Sequence, residues 1–133
     1  MTFFNLLNDS IVRIRNSQAT KKPKLSLRKS TLLLKVLQIL RREGYIRGFQ
    51  VEEKTINLSL KYHQDKGVIK DIRYHSQLNP KTNLSFQELK KIYQKNESNS
   101  GLGRMLLSTP FGILTDFECI SRRIGGKHLI TIL

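Results

Sequence analysis

Few side chains in this sequence could do covalent chemistry. There is one cysteine, Cys119, and there are three histidines, His63, His75 and His128, with no metal-ligand spacing among them. Cys119 has no partner for an internal disulfide and reads as a small buried residue of a reducing compartment. A catalytic thiol needs a positioned histidine, and nothing orients His128, the nearest one in sequence. The three histidines read as surface or turn residues. No serine sits in a nucleophile elbow. Gly101 and Gly103 form a partial glycine loop without the third glycine or the Walker lysine that cradle a nucleotide. Asp116 and Glu118 are a carboxylate pair, but a helix-capping box accounts for both. Catalysis has no visible seat, and the residues call for no metal, no cofactor and no small-molecule substrate.

The chemistry that is present is attraction to a polyanion. The chain has 133 residues, with 24 Lys and Arg against 10 Asp and Glu, a net charge of +14. Such a charge repels itself on compaction unless a polyanion lies nearby. It is spread along the chain rather than gathered in a tail. Between Arg13 and Lys29 stand Arg13, Arg15, Lys21, Lys22, Lys24, Arg28 and Lys29, with no acid among them. Within so basic a chain, that run points to phosphate binding rather than to a merely solvated face. A membrane surface would want one basic amphipathic helix faced with Trp or Phe. Trp is absent, and the charge falls on loops as well as helices. No apolar run approaches the ~20 residues of a membrane span. With 8 Gly, 3 Pro and 1 Cys the chain is neither collagen-like nor disulfide-stapled, and 38% hydrophobic residues can build a modest core.

A second candidate is the Ser108-Thr109-Pro110-Phe111-Gly112 segment. Hydroxyls donate and accept, so they can read base edges and 2′-hydroxyls as a lysine cannot. They can equally bond their own backbone in a turn.

The elements that must position these groups follow from periodicity. Phe3, Leu7, Ile11 and Ile14 form one helical stripe after a cap at Thr2, and residues 16–24 read as a basic loop. Leu25 and Leu27 mark a short strand. A helix opens at Ser30 or Thr31, carries Leu33, Val36, Leu37 and Leu40 on one face, and stops at Gly44. Residues 45–51 read as a strand. Ile56, Leu58 and Leu60 alternate with polar residues, a half-buried strand. After a turn at 63–67, residues 68–74 form another strand. Ser85 to Glu88 is a capping box opening a short helix, and 94–100 is a polar loop. Met105 to Leu107 is an apolar strand, and Thr115 to Glu118 is a second capping box whose helix ends at Gly125-Gly126. A closing strand follows from Leu129. The fold class is α/β in the α+β sense. An N-terminal α-β-α-β-β domain spans 1–75, and a smaller, mainly β domain with one short helix spans 76–133.

Taken together the motifs resemble a family. Arg13-Ile-Arg-Asn16, Glu43-Gly44-Tyr45-Ile46, Leu60-Lys61-Tyr62, Gly101-Leu102-Gly103, Ser108-Thr109-x-x-Gly112, Thr115-Asp116 and Arg123-Ile-Gly-Gly126 stand in the order found in bacterial-type small-subunit ribosomal protein S-eight. The resemblance runs from about Asn5 to Leu133. It implies a two-part protein that binds a central-domain stem of small-subunit rRNA beside neighbouring ribosomal proteins, without a membrane. It implies that the Ser108-Thr109 loop, with Gly112, lies against the RNA minor groove. It also adds Asn16, Arg122 and Arg123 to the basic run as RNA-binding residues.

The chain departs from the family pattern at several points. Pro110 replaces the second serine of Ser-Thr-Ser-x-Gly. No Arg-Pro-Gly is recognisable around Gln77 to Lys81. Thr31 and Leu33 stand where lysines are usual early in the second helix, and Tyr93 to Ser100 is longer than usual. Lys127 stands where an acid is common. With the Asn/Lys/Ile/Leu-rich wording, these departures resemble an organellar member, read as mitochondrial, with plastid or bacterial cytoplasm as alternatives. The match starts so near Met1 that no targeting peptide is expected. The rival reading is a basic DNA-binding regulator, which needs a recognition helix with polar residues reaching base edges.

Overall fold

A computed structural model describes residues 3–75, 80–99 and 104–133. The cap expected at Thr2, the glycine pair Gly101 and Gly103, and residues 76–79 lie outside the described residues. The chain divides into two compact units, Met1–Ile72 and Arg73–Leu133. The architecture is α+β, helices packed on small sheets.

In the first unit, α1 (Phe3–Ala19) buries Leu7, Ile11 and Ile14, the expected stripe. The helix runs beyond Arg15, so Asn16 to Ala19 are helical rather than loop. Long-range partners hold that last turn. Ile69 N–H donates to Gln18 Oε1 at 3.0 Å, and the Tyr62 hydroxyl donates to the Ser17 and Lys22 carbonyls. Lys21, at φ 60°, then closes the helix, with Lys22 N–H on Ser17 O and Lys21 N–H on Gln18 O. This is a Schellman closure without its usual glycine.

After β1 (Lys24–Arg28), α2 (Thr31–Arg42) starts on Ser30, whose hydroxyl accepts Leu33 N–H at 3.1 Å. It buries Leu33, Val36, Leu37, Ile39 and Leu40, and ends at Gly44 with φ +82°. Strands β2 (Ile46–Val51) and β3 (Thr55–Leu60) complete an antiparallel sheet of order β1-β3-β2. Ile56, Leu58 and Leu60 of the central strand are buried, and the intervening residues face the other side. A hairpin of β4 (Tyr62–His63) and β5 (Lys66–Gly67) turns over Gln64 and Asp65, both at positive φ as a type I′ turn requires.

The strand expected over 68–74 shrinks to β6 (Ile72–Tyr74) and pairs into the second sheet. Then come β7 (Asn83–Leu84) and α3 (Phe86–Asn99), the latter opened by Ser85 accepting Glu88 N–H at 3.2 Å. The polar stretch from Gln94 is therefore helix as far as Asn99, not loop. Once a capped turn has nucleated, each further residue adds a hydrogen bond, and no Gly or Pro intervenes before Gly101. Apolar periodicity is not needed for that.

Strands β8 (Arg104–Thr109) and β9 (Gly112–Thr115) form a hairpin, followed by α4 (Asp116–Arg122) and β10 (Gly126–Ile132). The C-terminal part thus holds two helices, not one short one. The sheet order is β6-β10-β8-β9, with β7 also on β10. Leu89, Met105, Leu107, Leu114 and Cys119 form one core cluster, and Leu106, Leu129, Ile130 and Ile132 are buried as well.

The capping box at Thr115 and Glu118 is present, but the glycine pair does not end α4. Arg123 does, in the left-handed region at φ 57°. The glycines serve close approach. A Cβ on Gly125 would lie 2.3 Å from the Leu84 carbonyl oxygen, and one on Gly126 would lie 2.9 Å from Thr109 Cγ2 and 3.0 Å from the Ser108 carbonyl oxygen.

Gly125→Ala should therefore cost about 1–3 kcal/mol of folding stability through overpacking against backbone. Arg123→Gly should gain up to ~1 kcal/mol by relieving the left-handed strain. Urea denaturation of the two variants beside the parental chain checks both signs.

Candidate nucleic-acid interface

None of the lysines and arginines in the chain is buried. In the first unit the structure sorts the expected basic residues into separate places. Arg13 and Asn16 share an exposed face of α1 at i, i+3 spacing. Arg15 turns toward Asp71, 3.9 Å away, so part of its charge is answered by protein. Lys21, Lys22 and Lys24 cluster, exposed, where α1 gives way to β1. Arg28 and Lys29 stand at the far end of β1, ~13 Å along the strand from Lys24 at the usual rise per residue. Exposed ammonium groups that close together create a potential suited to successive phosphates.

In the second unit the Ser108-Thr109 turn is more specific than expected. Thr109 and Gly112 pair across the hairpin, leaving Pro110 and Phe111 at its tip. Pro110 presets its own φ, and Gly112 sits at φ +107° with nothing within 4 Å of a would-be Cβ. Glycine is needed there for conformation, not space. The Thr109 hydroxyl donates to the Gly112 carbonyl at 2.7 Å and accepts Phe111 N–H at 3.2 Å. Its only proton is spent on the turn, so Thr109 clamps the loop. Ser108 is exposed, and its hydroxyl has no partner among the described residues. The turn reading therefore holds for Thr109, while the Ser108 hydroxyl is left out of the turn.

Register shows what surrounds Ser108. Lys127 of β10 pairs with Ser108 on one side and with Asn83 on the other. Cross-strand partners share a face, so an amide, an ammonium and a hydroxyl lie in one row. They line an open hollow of ≈ 550 Å³, whose other walls include Ser85, Gly125 and Gly126. The missing Cβ atoms of the glycines bring backbone to its surface. Asn83 carried no sequence signal and Ser85 only that of a helix cap, because tertiary pairing alone brings them to Ser108. Lys127 did, as a cation in an acid's place. Arg122 and Arg123 are exposed at the end of α4 and do not line this hollow.

The remaining reactive groups are accounted for structurally. Burial, then the carboxylates of Glu118 and Asp116, push the Cys119 thiol up to about 11, so it is a protonated core residue. Burial also raises Asp116, against the Phe117 N–H and Arg104 at 3.6 Å. His63 is exposed on β4, but His75 and His128 are not the surface or turn residues they were read as. Their rings stack 3.9 Å apart, and each Nε2 lies 2.7 Å from Thr131 Oγ1. One hydroxyl can donate to one imidazole and accept from the other, which fits two neutral rings. Burial and the His75 charge lower His128 to about 4, while burial and Arg73 lower His75.

Two expectations follow. Thr109→Val should cost ~1 kcal/mol of stability by freeing the turn, whereas Ser108→Ala should cost nothing measurable by thermal melting. The folded pKa of His128 lies below its unfolded value near 6.5, so the unfolded chain binds more protons between about pH 6.5 and 4. Stability should be full above pH 6.5 and fall through that window, and His128→Gln should flatten the fall in denaturant midpoints measured against pH.

Comparison with known proteins completes the description. The profile of the family described as ribosomal protein S8 matches residues 5–133. The chain is 34% identical over 137 aligned residues to the small ribosomal subunit protein uS8 of Rhodospirillum centenum, covering 99% of each chain. It is 35% identical over 137 residues to the uS8 protein of Nitrobacter winogradskyi, and 33% identical over 135 to that of Pseudomonas fluorescens, again with 99% of each chain covered.

Proposed function

This chain belongs to the ribosomal protein S8 family, and from that premise we propose that it is a structural constituent of the small ribosomal subunit that binds small-subunit rRNA. The single observation that carries the reading is the exposed Ser108 hydroxyl, held on a turn clamped by Thr109 in a chain matched to the family over residues 5–133. A rigid hydroxyl beside close-lying backbone suits the shallow minor groove of an RNA stem, where 2′-hydroxyls and base edges are within reach. The stem is read as one in the central domain of that rRNA, with other ribosomal proteins as neighbours.

The two compact units take different roles in this reading. Lys21, Lys22, Lys24, Arg28, Lys29 and the exposed face of α1 with Arg13 and Asn16 supply phosphate attraction, and Arg15 adds the charge that Asp71 leaves unanswered. Ser108 supplies selection, with Thr109 and Gly112 as its support. Arg122 and Arg123 add phosphate contacts from α4. The role is structural rather than catalytic. The DNA-binding alternative gains nothing from the fold, since α2 spends Leu33, Val36, Leu37, Ile39 and Leu40 on the core rather than on base edges. We assign the chain to a mitochondrial ribosome on its departures from the bacterial pattern, Pro110 and Lys127 among them. Its cofractionation with mitochondrial small subunits tests that assignment.

Binding to a transcript of the central-domain stem tests the function. Ser108→Ala should lose about 1–3 kcal/mol against this stem and almost nothing against unrelated duplex RNA, with the salt dependence unchanged. Replacing Lys21, Lys22 and Lys24 by Gln should do the reverse. It should shallow the log–log salt slope by about 0.7–0.9 per lost contact without changing which stem is preferred. Equal loss on cognate and unrelated RNA for Ser108→Ala would make the loop a turn and nothing more.

A further inference from the structure

A hollow of ≈ 790 Å³ is lined entirely by residues of the first unit, Pro23 to Tyr62, none of which belongs to the Ser108 turn. Its floor is the outward face of the β1-β3-β2 sheet. Register sets that face out as two rows across the strands. Gly48, Ser59 and Lys24 form one row, and Gln50, Asn57 and Ser26 form the next. Each row joins groups that donate and accept with, in the first, a cation. Arg41 and Arg47 stand at its rim, so the lining carries three cations and no carboxylate. Glu52, outside the lining, accepts hydrogen bonds from Asn57 Nδ2 at 2.6 Å and Thr55 Oγ1 at 3.4 Å.

Gly48 is the independent observation. A glycine inside a strand weakens it, and is kept where φ must be positive, where another part of the fold crowds it, or where something else approaches the backbone. Gly48 has no positive φ, although the ladder bulges beside it. A Cβ there would meet nothing within 4 Å. Neither φ nor crowding within the fold asks for glycine here, and the bulge beside it is made at a φ that other residues adopt. Gly48 lines the hollow from the edge strand β2, and across the sheet from it in register stand the Ser59 hydroxyl and the Lys24 ammonium.

We infer that this sheet face is a second RNA-binding surface, on which a phosphodiester strand of the small-subunit rRNA crosses the first unit at Gly48, its phosphates toward Lys24, Arg41 and Arg47 and its sugar edges toward Ser26, Ser59 and Gln50. This rests on the rRNA-binding reading above and adds to it a site that shares only Lys24 with the charged residues of the basic run, since Arg41, Arg47, Gly48, Ser59 and Gln50 lie outside it. Charge selects the occupant. Three cations without a lining acid suit a polyanion, and hydroxyl and amide groups suit ribose and base edges.

The test is an unusual combination, a substitution that keeps the fold and removes binding. Gly48→Val places a β-branched side chain in open space on a strand, so the full-length variant should melt at or above the parental temperature. It should bind a transcript of the whole central domain of the rRNA at least tenfold more weakly, yet bind the short cognate stem as the parental chain does. Arg41→Gln with Arg47→Gln should weaken the same longer transcript and reduce its log–log salt slope by about 1–2. A folded Gly48→Val variant with parental affinity for the longer transcript overturns the proposal. So does an unchanged hydroxyl-radical footprint for the double arginine variant, a measurement that holds even if Gly48→Val fails to fold. Loss of a neighbouring protein rather than of RNA in reconstituted particles would also overturn it, by making the groove a protein seat. If the parental chain and Ser108→Ala bind every RNA alike, the rRNA reading itself fails. If Ser108→Ala weakens the short stem while Gly48→Val changes nothing, the groove alone fails.

Discussion

Two small cores must exclude every lysine and arginine of a chain that carries 24 of them, and they do. A strand or helix in such a chain can spend one face on the core, and its other face is left polar or cationic. In β1, Leu27 is buried and Leu25 half-buried, while Lys24, Ser26 and Arg28 turn away. In α2, five residues are buried and both arginines of the last turn remain outside, where they also oppose the helix dipole. Binding surfaces therefore need no additional element here. They are the reverse sides of the elements that fold. The cost is self-repulsion, and a partner that neutralises it stabilises the folded chain by the same linkage that gives it affinity.

What was legible in the residues was local. Ser30, Ser85 and Thr115 announce helix starts because a cap needs only a side chain and the amide three residues on. The alternation of Ile56, Leu58 and Leu60 announces a strand because its period is its own evidence. What was not legible depends on a distant partner or on propagation. The last turn of α1 is held by Tyr62 and Ile69, forty residues and more away in sequence, so it reads locally as loop. The end of α3 is helical for want of an interruption, which an apolar count does not register. Lys21 and Arg123 close helices in a conformation that glycine usually takes, and a search for glycine passes over both. The pairing of His75 with His128 is set by strand pairing in the second sheet, so neither histidine shows it in sequence.

The candidate site divides along the same line. The Ser-Thr pair was visible, and its two hydroxyls looked equivalent. Geometry separates them, because a hydroxyl has one proton. Thr109 gives its proton to the Gly112 carbonyl and closes the turn, while the pairing of β8 with β9 and β10 sets the side on which Ser108 stands. Pro110 fits this division. It removes an amide and a hydroxyl that the usual serine would offer, but it stiffens the turn that presents Ser108. Lys127, paired in register with Ser108, changes the sign of the charge there relative to the common acid. A carboxylate in that place would accept hydrogen bonds and repel phosphate. An ammonium donates and attracts phosphate, so this row offers an anionic partner a different balance of hydrogen bonding and charge.

Glycine shows most plainly why residue type alone leaves function open. Gly125 and Gly126 are required by the protein, since a Cβ on either would run into β7 or β8. Gly112 is required by its own backbone, at φ +107° in open space. Gly48 is required by neither. In sequence these are four instances of one letter. Distance to the nearest atom and the sign of φ remove the first three from consideration as contact points. The fourth stands beside a bulge of the β2-β3 ladder, but at a φ and in a space that would admit a side chain, so its cost to the strand directs attention outward, to what lies against that face.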